Sequence, residues 1–166
     1  YYGGAYVSWT WRKAPKFFDV VTWTGDGSTN SGGSRLISHG LGSVPGFIIV
    51  KRTSSSHNWY CYHRELGATK AITLNSTGTP ITSANWWYNV EPTSTNFSVN
   101  FNFNGNNETY VAYLFAHNDG DGEFGPDGDQ DIIKCGGITN AASAVTTIDL
   151  GFEAQWVLMK RIDSAG

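Results

Sequence analysis

Hydrophobic and polar positions along this chain alternate in short runs, and turn-forming residues separate the runs. Asn96-Phe97-Ser98-Val99-Asn100-Phe101-Asn102-Phe103 is the strictest case. Successive strand side chains point to opposite faces, so Phe97, Val99, Phe101 and Phe103 are expected inward and Ser98, Asn100 and Asn102 outward. Residues 70–75 alternate too, with Ile72 and Leu74 on one side. Residues 46–52 (GFIIVKR) are apolar for most of their length, as in a strand buried on both faces. Residues 5–11, 17–23, 35–39, 58–63 and 109–115 read as further strands from their β-branched and aromatic content. Gly25 to Ser34 is turn material, and Asn104-Gly105-Asn106-Asn107 predicts a type I′ hairpin turn. The one weak helix candidate, residues 83–90, carries Trp86-Trp87-Tyr88 but no sustained 3.6-residue period. Many short strands with Gly-rich turns predict an all-β, antiparallel β-sandwich, jelly-roll-like in its simplest form.

The pattern also repeats itself. Leu41, Gly42 and Phe47-Ile48-Ile49-Val50-Lys51-Arg52 return as Leu150, Gly151 and Trp156-Val157-Leu158-Met159-Lys160-Arg161, with the internal spacing kept, at an offset of 109 residues (41 to 150). Tyr6-Val7-Ser8-Trp9 returns as Tyr110-Val111-Ala112-Tyr113 at an offset of 104 (6 to 110), and Asp19-Val20-Val21 as Asp131-Ile132-Ile133 at 112 (19 to 131). A period the size of a small domain predicts tandem copies. Residues 1–16 then hold the closing strand of a preceding copy, 17–117 one complete sandwich, 118–130 a Gly/Asp-rich linker and 131–166 the start of the next copy. On this reading the chain is a window on a longer array.

Charged residues make up 15% of the chain, against about a quarter in ordinary soluble domains, so surface polarity must rest on Ser, Thr, Asn and Gly. The net charge of −3 comes with no Lys/Arg-dense stripe, which leaves no footprint for nucleic acid or for polybasic membrane attachment. Strictly aliphatic runs fall far short of the ~20 residues that span a bilayer, so membrane insertion is not expected. Cys61 and Cys135 sit at non-equivalent positions of the repeat and read as free, buried thiols.

Candidate chemistry is sparse. Asp119, Asp121, Glu123, Asp127 and Asp129 are interleaved with glycines; they read either as a solvated acidic linker or as oxygen ligands wrapping Ca²⁺, the one cofactor the chain suggests. His39, His57, His63 and His117 show no metal-ligand spacing. No Gly-x-Ser-x-Gly elbow, phosphate loop or dinucleotide fingerprint is present, and the glutamates are scattered, so no catalytic residue is assigned and no enzyme is expected. Trp86, Trp87 and Tyr88 read as core and inter-copy contact, or as a stacking platform for a glycan.

With those residues in hand, the chain resembles a family of tandem β domains in structural proteins of marine tailed phages. The resemblance rests on Phe18-Asp19-Val20-Val21-Thr22-Trp23-Thr24-Gly25, on Ile37 through Arg52, on Asn58-Trp59-Tyr60-Cys61-Tyr62-His63-Arg64, and on Tyr110-Val111-Ala112-Tyr113-Leu114-Phe115-Ala116-His117. It implies a virion or extracellular location and a role in a tail fibre or other appendage. The partners would be neighbouring copies of the chain, with adhesion to a host-surface glycan as a further expectation. The alternative is a carbohydrate-binding, lectin-like module.

Overall fold

The computed structural model describes residues 4–5, 7–139 and 145–163. Eight strands run in chain order: β1 (Phe18–Thr24), β2 (Arg35–Ser38), β3 (Phe47–Arg52), β4 (Trp59–His63), β5 (Lys70–Thr73), β6 (Ile81–Thr82), β7 (Asn96–Val99) and β8 (Thr109–Phe115). Among the described residues there is no α-helix; two short 3-10 turns, Ser28–Ser31 and Phe101–Phe103, complete the set. Every strand pairing is antiparallel. Six strands form one sheet in the order β1-β8-β3-β4-β5-β6, and β2 with β7 forms the second. The protein is an all-β antiparallel sandwich.

The inner face of the large sheet follows from its register. Val21, Ala112, Val50 and Tyr60 form one cross-strand row, and Trp23 and Tyr110 face each other in the next. Against them pack Ile37 of β2, Phe97 and Val99 of β7, Leu41, Phe103, Trp86 and Trp87, giving one continuous core. The Trp23 and Tyr110 rings stack at 5.2 Å, and Trp23 Nε1 donates to the Phe103 carbonyl at 2.9 Å, so the indole is buried without an orphaned donor.

Three expectations need correction. The alternating run over residues 96–103 is a strand only to Val99. Asn100 then spends its side chain on the backbone, accepting from Phe101 N at 2.7 Å and donating to the Ala84 carbonyl at 3.1 Å. This starts the 3-10 turn, which rotates Phe101 to the surface (53% exposed) while Phe103 stays buried; Ser98 and Asn100 are buried rather than outward. Asn104-Gly105 is not the corner of a hairpin, because β7 and β8 belong to different sheets. Asn104 is fully buried, donates to Asp26 Oδ1 at 2.7 Å and accepts from Arg35 Nη1 at 3.1 Å, while the turn itself is closed by Glu108 N donating to the Gly105 carbonyl at 3.1 Å. Residues 5 and 7–11 carry no strand, and neither do residues 156–161 despite their likeness to β3. Tyr6 of the expected first strand, and residues 140–144 and 164–166 of the expected third unit, lie outside the described residues. The two-residue β6 is too short for the pattern of the sequence to predict.

Candidate functional site

The site begins with the second face of the large sheet. Alternation turns Phe18, Phe115, Phe47 and His63 to the outer face in one row, and Val20, Tyr113, Ile49, Cys61 and Ile72 in the next. An outer sheet face usually carries polar residues; this one is apolar at its centre. Phe18, Phe115, Cys61 and Ile72 are all buried, yet they stand outside the inner core cluster. Their cover comes from the flanks. The Trp11 ring lies 6.0 Å from Phe18 and 5.7 Å from Phe115, and the Trp156 ring lies 5.4 Å from Trp11. Lys160 Nζ reaches the Ser76 carbonyl at 2.5 Å, across an open cleft of about 320 Å³ between Leu74, Ser76 and Thr77 on one side and residues 158–161 on the other. Burial pushes the Cys61 thiol up to about 12, with Lys160 pulling weakly the other way.

Entry to the sheet and exit from it share one corner. Phe18, the first residue of β1, pairs with Phe115, the last of β8. Asn118 ties that corner together. Its backbone N–H donates to the Ile133 carbonyl at 2.8 Å, its side-chain amide to the Lys16 carbonyl at 3.1 Å, and its side-chain oxygen accepts from Ile132 N at 3.2 Å and Ile133 N at 3.3 Å. Cys135 N donates to His117 Nδ1 at 3.0 Å, so that ring nitrogen is the acceptor and the imidazole is neutral; burial first, then the nearby Arg64 charge, lowers the His117 pKa. Gly46 permits this approach: a Cβ there would stand 2.8 Å from His117 Cβ and 2.9 Å from Cys135 Sγ. Burial likewise raises the Cys135 thiol to about 11. Thiols raised in this way carry little thiolate, the form that reacts.

The aromatic triplet is divided by the turn at residues 83–90. Trp86 and Trp87 point into the core at 7% and 1% exposure, and Trp87 Nε1 donates to the Lys70 carbonyl at 3.1 Å. Tyr88, in the left-handed region at φ 56°, is the member at the surface. A glycan platform of three rings is therefore not formed; Tyr88 alone could stack on a sugar.

The acidic stretch is largely occupied with itself. Glu123 pairs with Lys16 Nζ at 2.6 Å, Asp119 lies 3.5 Å from Lys134 Nζ, and Asp121 accepts from Asp119 N at 3.0 Å. Asp131 accepts from Gly120 N at 2.7 Å and Gly122 N at 2.8 Å, and the first of these bonds chiefly holds its carboxyl below the usual range. Asp127 and Asp129 are exposed. Among the described residues no three His, Cys, Asp or Glu side chains converge as a metal site would require. None of the described helical turns is long and apolar enough to cross a membrane.

A family pattern described as a domain of unknown function, DUF7483, matches residues 2–166. The chain belongs to this DUF7483 family. No curated protein matches it, and no solved structure does. The DUF7483 match runs through both flanks as well as the eight-stranded body, so the segments that lie on the outer face belong to the family's own pattern. The flanks gave no motif to find in advance. Their signal was the likeness of residues 6–9 to β8 and of 156–161 to β3.

Proposed function

We propose that this chain is a structural, non-enzymatic unit of a fibre or virion appendage, built to be joined to further copies of its own design. The observation that carries this reading is the pairing of Phe18 with Phe115. A unit whose entry and exit are neighbours at one end of the sheet can be strung end to end with short connections, and each connection emerges beside the apolar outer face. The internal repeats, the low charge and the resemblance to tailed-phage structural domains support the same role. Repeat architectures of this kind gain stability from unit-to-unit contacts as well as from each unit's own core. A buried aromatic row on the outer face, covered by flanking segments, is the surface such contacts need. Electron microscopy of the purified chain over a range of concentrations, and of the native particle labelled with an antibody against it, tests the proposal. Regular filaments or labelled appendages are expected. Discrete monomers at every concentration together with unlabelled particles would overturn it.

A further inference from the structure

Within the complete unit, β8 lies between β1 and β3, and its register with β3 pairs Phe47 with Phe115, Ile49 with Tyr113 and Lys51 with Val111. The Phe47 and Phe115 rings are 5.9 Å apart. The internal offsets carry Phe47 to Trp156 and Phe115 to Trp11. Those two rings are 5.4 Å apart. The flanks thus reproduce the first rung of the β8–β3 ladder, at the position the repeat dictates. Carried further, the same register sets Leu158 opposite Trp9 and Lys160 opposite Val7.

Within one chain the ladder stops at that first rung. Neither segment is a strand, and Lys160 turns away to the Ser76 carbonyl. Much of the apolar surface of both runs is exposed, with Val7 at 77%, Trp9 at 60%, Val157 at 61% and Met159 at 71%, although the Trp9 ring meets Trp156 edge-on at 6.4 Å. Two complementary segments that form no strand among the described residues, carried on one molecule, make a heterologous, head-to-tail contact between copies, and such a contact propagates as a filament when it does not close.

We infer that residues 7–11 of one copy add as a β strand to residues 156–160 of a second copy of this chain, in the register β8 makes with β3. The inserted segment plays the part of β8. It supplies a strand partner to the β3-like run, which forms no strand among the described residues, and backbone hydrogen bonds hold it while Trp11, opposite Trp156, fixes the register. This deepens the proposed function and rests on it, since it names the contact through which copies join.

Cysteine cross-linking tests the inference on the full chain. Trp9→Cys protein and Leu158→Cys protein are mixed and oxidised, and the product is mapped by mass spectrometry; Cys61, buried, and Cys135, half-buried, both with raised pKa values, serve as slow internal references. The expected result is a covalent dimer through residues 9 and 158, at least tenfold more than from Val7→Cys mixed with Leu158→Cys, which is out of register. Near-UV circular dichroism of each variant confirms that the body is folded, so a missing cross-link is not a missing fold. Two results would overturn the inference: equal yields in and out of register, or a Trp9→Cys/Leu158→Cys double variant that closes only on itself as a monomer at high concentration. Light scattering of the unaltered chain separates the two levels. Oligomers without the 9–158 cross-link leave the fibre role standing and remove this contact, whereas monomers throughout remove both.

Discussion

Two runs of nearly the same pattern meet opposite fates in this molecule. Phe47-Ile48-Ile49-Val50-Lys51-Arg52 is β3, a central strand with β8 on one side and β4 on the other. Trp156-Val157-Leu158-Met159-Lys160-Arg161 is no strand at all. Their β-propensity is comparable, so local preference does not separate them. The difference lies in neighbours. β3 satisfies its backbone on both edges and buries Ile48 and Val50 completely, whereas the later run has the contacts of Trp156 with Trp9 and Trp11 and one lysine anchor. Strand formation is a property of the pairing surface, and the side chains supply only the capacity for it.

The comparison breaks most sharply if the body does not behave as the better-packed region. Trp87 is 1% exposed, sits against Phe103 and Tyr62, and donates to the Lys70 carbonyl. Trp87→Ala should therefore cost about 3–5 kcal/mol in urea unfolding, a large share of what a domain possesses. Trp156→Ala, at a position 37% exposed, removes the aromatic pairs with Trp9 and Trp11, each worth about 0.5–1.5 kcal/mol, and should cost less than the core change while leaving the body's midpoint nearly in place. Equal losses from the two changes would mean the flanks are as firmly built as the core.

Asp19 sharpens the contrast from the electrostatic side. It is fully buried at the corner where the chain enters the sheet, with Lys13 Nζ at 2.5 Å, Gly40 N at 2.6 Å and Val20 N at 2.8 Å. Burial pushes its pKa up, but the hydrogen bond from Lys13 and those from Gly40 and Val20 together outweigh it, so the folded value lies below the usual carboxylate range. A depressed folded value contributes stability that is present above the unfolded value of about 3.9 and is lost as pH falls through the folded one. Asp19→Asn should cost about 1.5–3 kcal/mol at pH 7, as for hydrogen bonds to a charged group. The gap between wild type and variant should narrow steadily below about pH 4. Urea melts at pH 7, 5 and 3 check this; a gap that does not change with pH would place the effect in packing.

The strands were legible because they are the part of the fold that a two-residue period can encode. Seven expected strands have counterparts in β1–β5, β7 and β8, and residues 5–11 do not. The run over residues 96–103 kept its period yet lost its second half, because the Asn100 side chain bonds the backbone of Phe101 beside it and of Ala84, 16 residues away, and the second partner is not visible in a two-residue period. Asn104-Gly105 carries a strong turn signal in isolation, but the Asn104 side chain is claimed by Asp26 and Arg35 across the sandwich. The outer-face site was hidden for a related reason. Alternation marks which residues share a face, not whether a second layer will lie on it, and Phe18 and Phe115 read as ordinary strand aromatics until Trp11 is seen above them.

The smallest expected effect concerns the acidic turn, which stands outside both the body and the aromatic seam. Asp127 and Asp129 are exposed, and no side-chain hydrogen bond or ion pair is found for either among the described residues. Their neighbours differ: Glu123 is held by Lys16, Asp119 by Lys134, and Asp131 by two backbone N–H groups. Hard cations such as Ca²⁺ need six to eight oxygens at one point, and carboxylates already turned toward lysines and amides are poorly placed to supply them. Asp127→Asn with Asp129→Asn should shift unfolding by less than about 0.5 kcal/mol, the range of surface changes that touch nothing. Millimolar Ca²⁺ should leave the melting temperature of wild type and variant alike unmoved, as scanning calorimetry would record. A calcium-dependent rise in wild type that the double variant lacks would show that the turn closes around the ion, and would add it to the surfaces through which this domain makes contact.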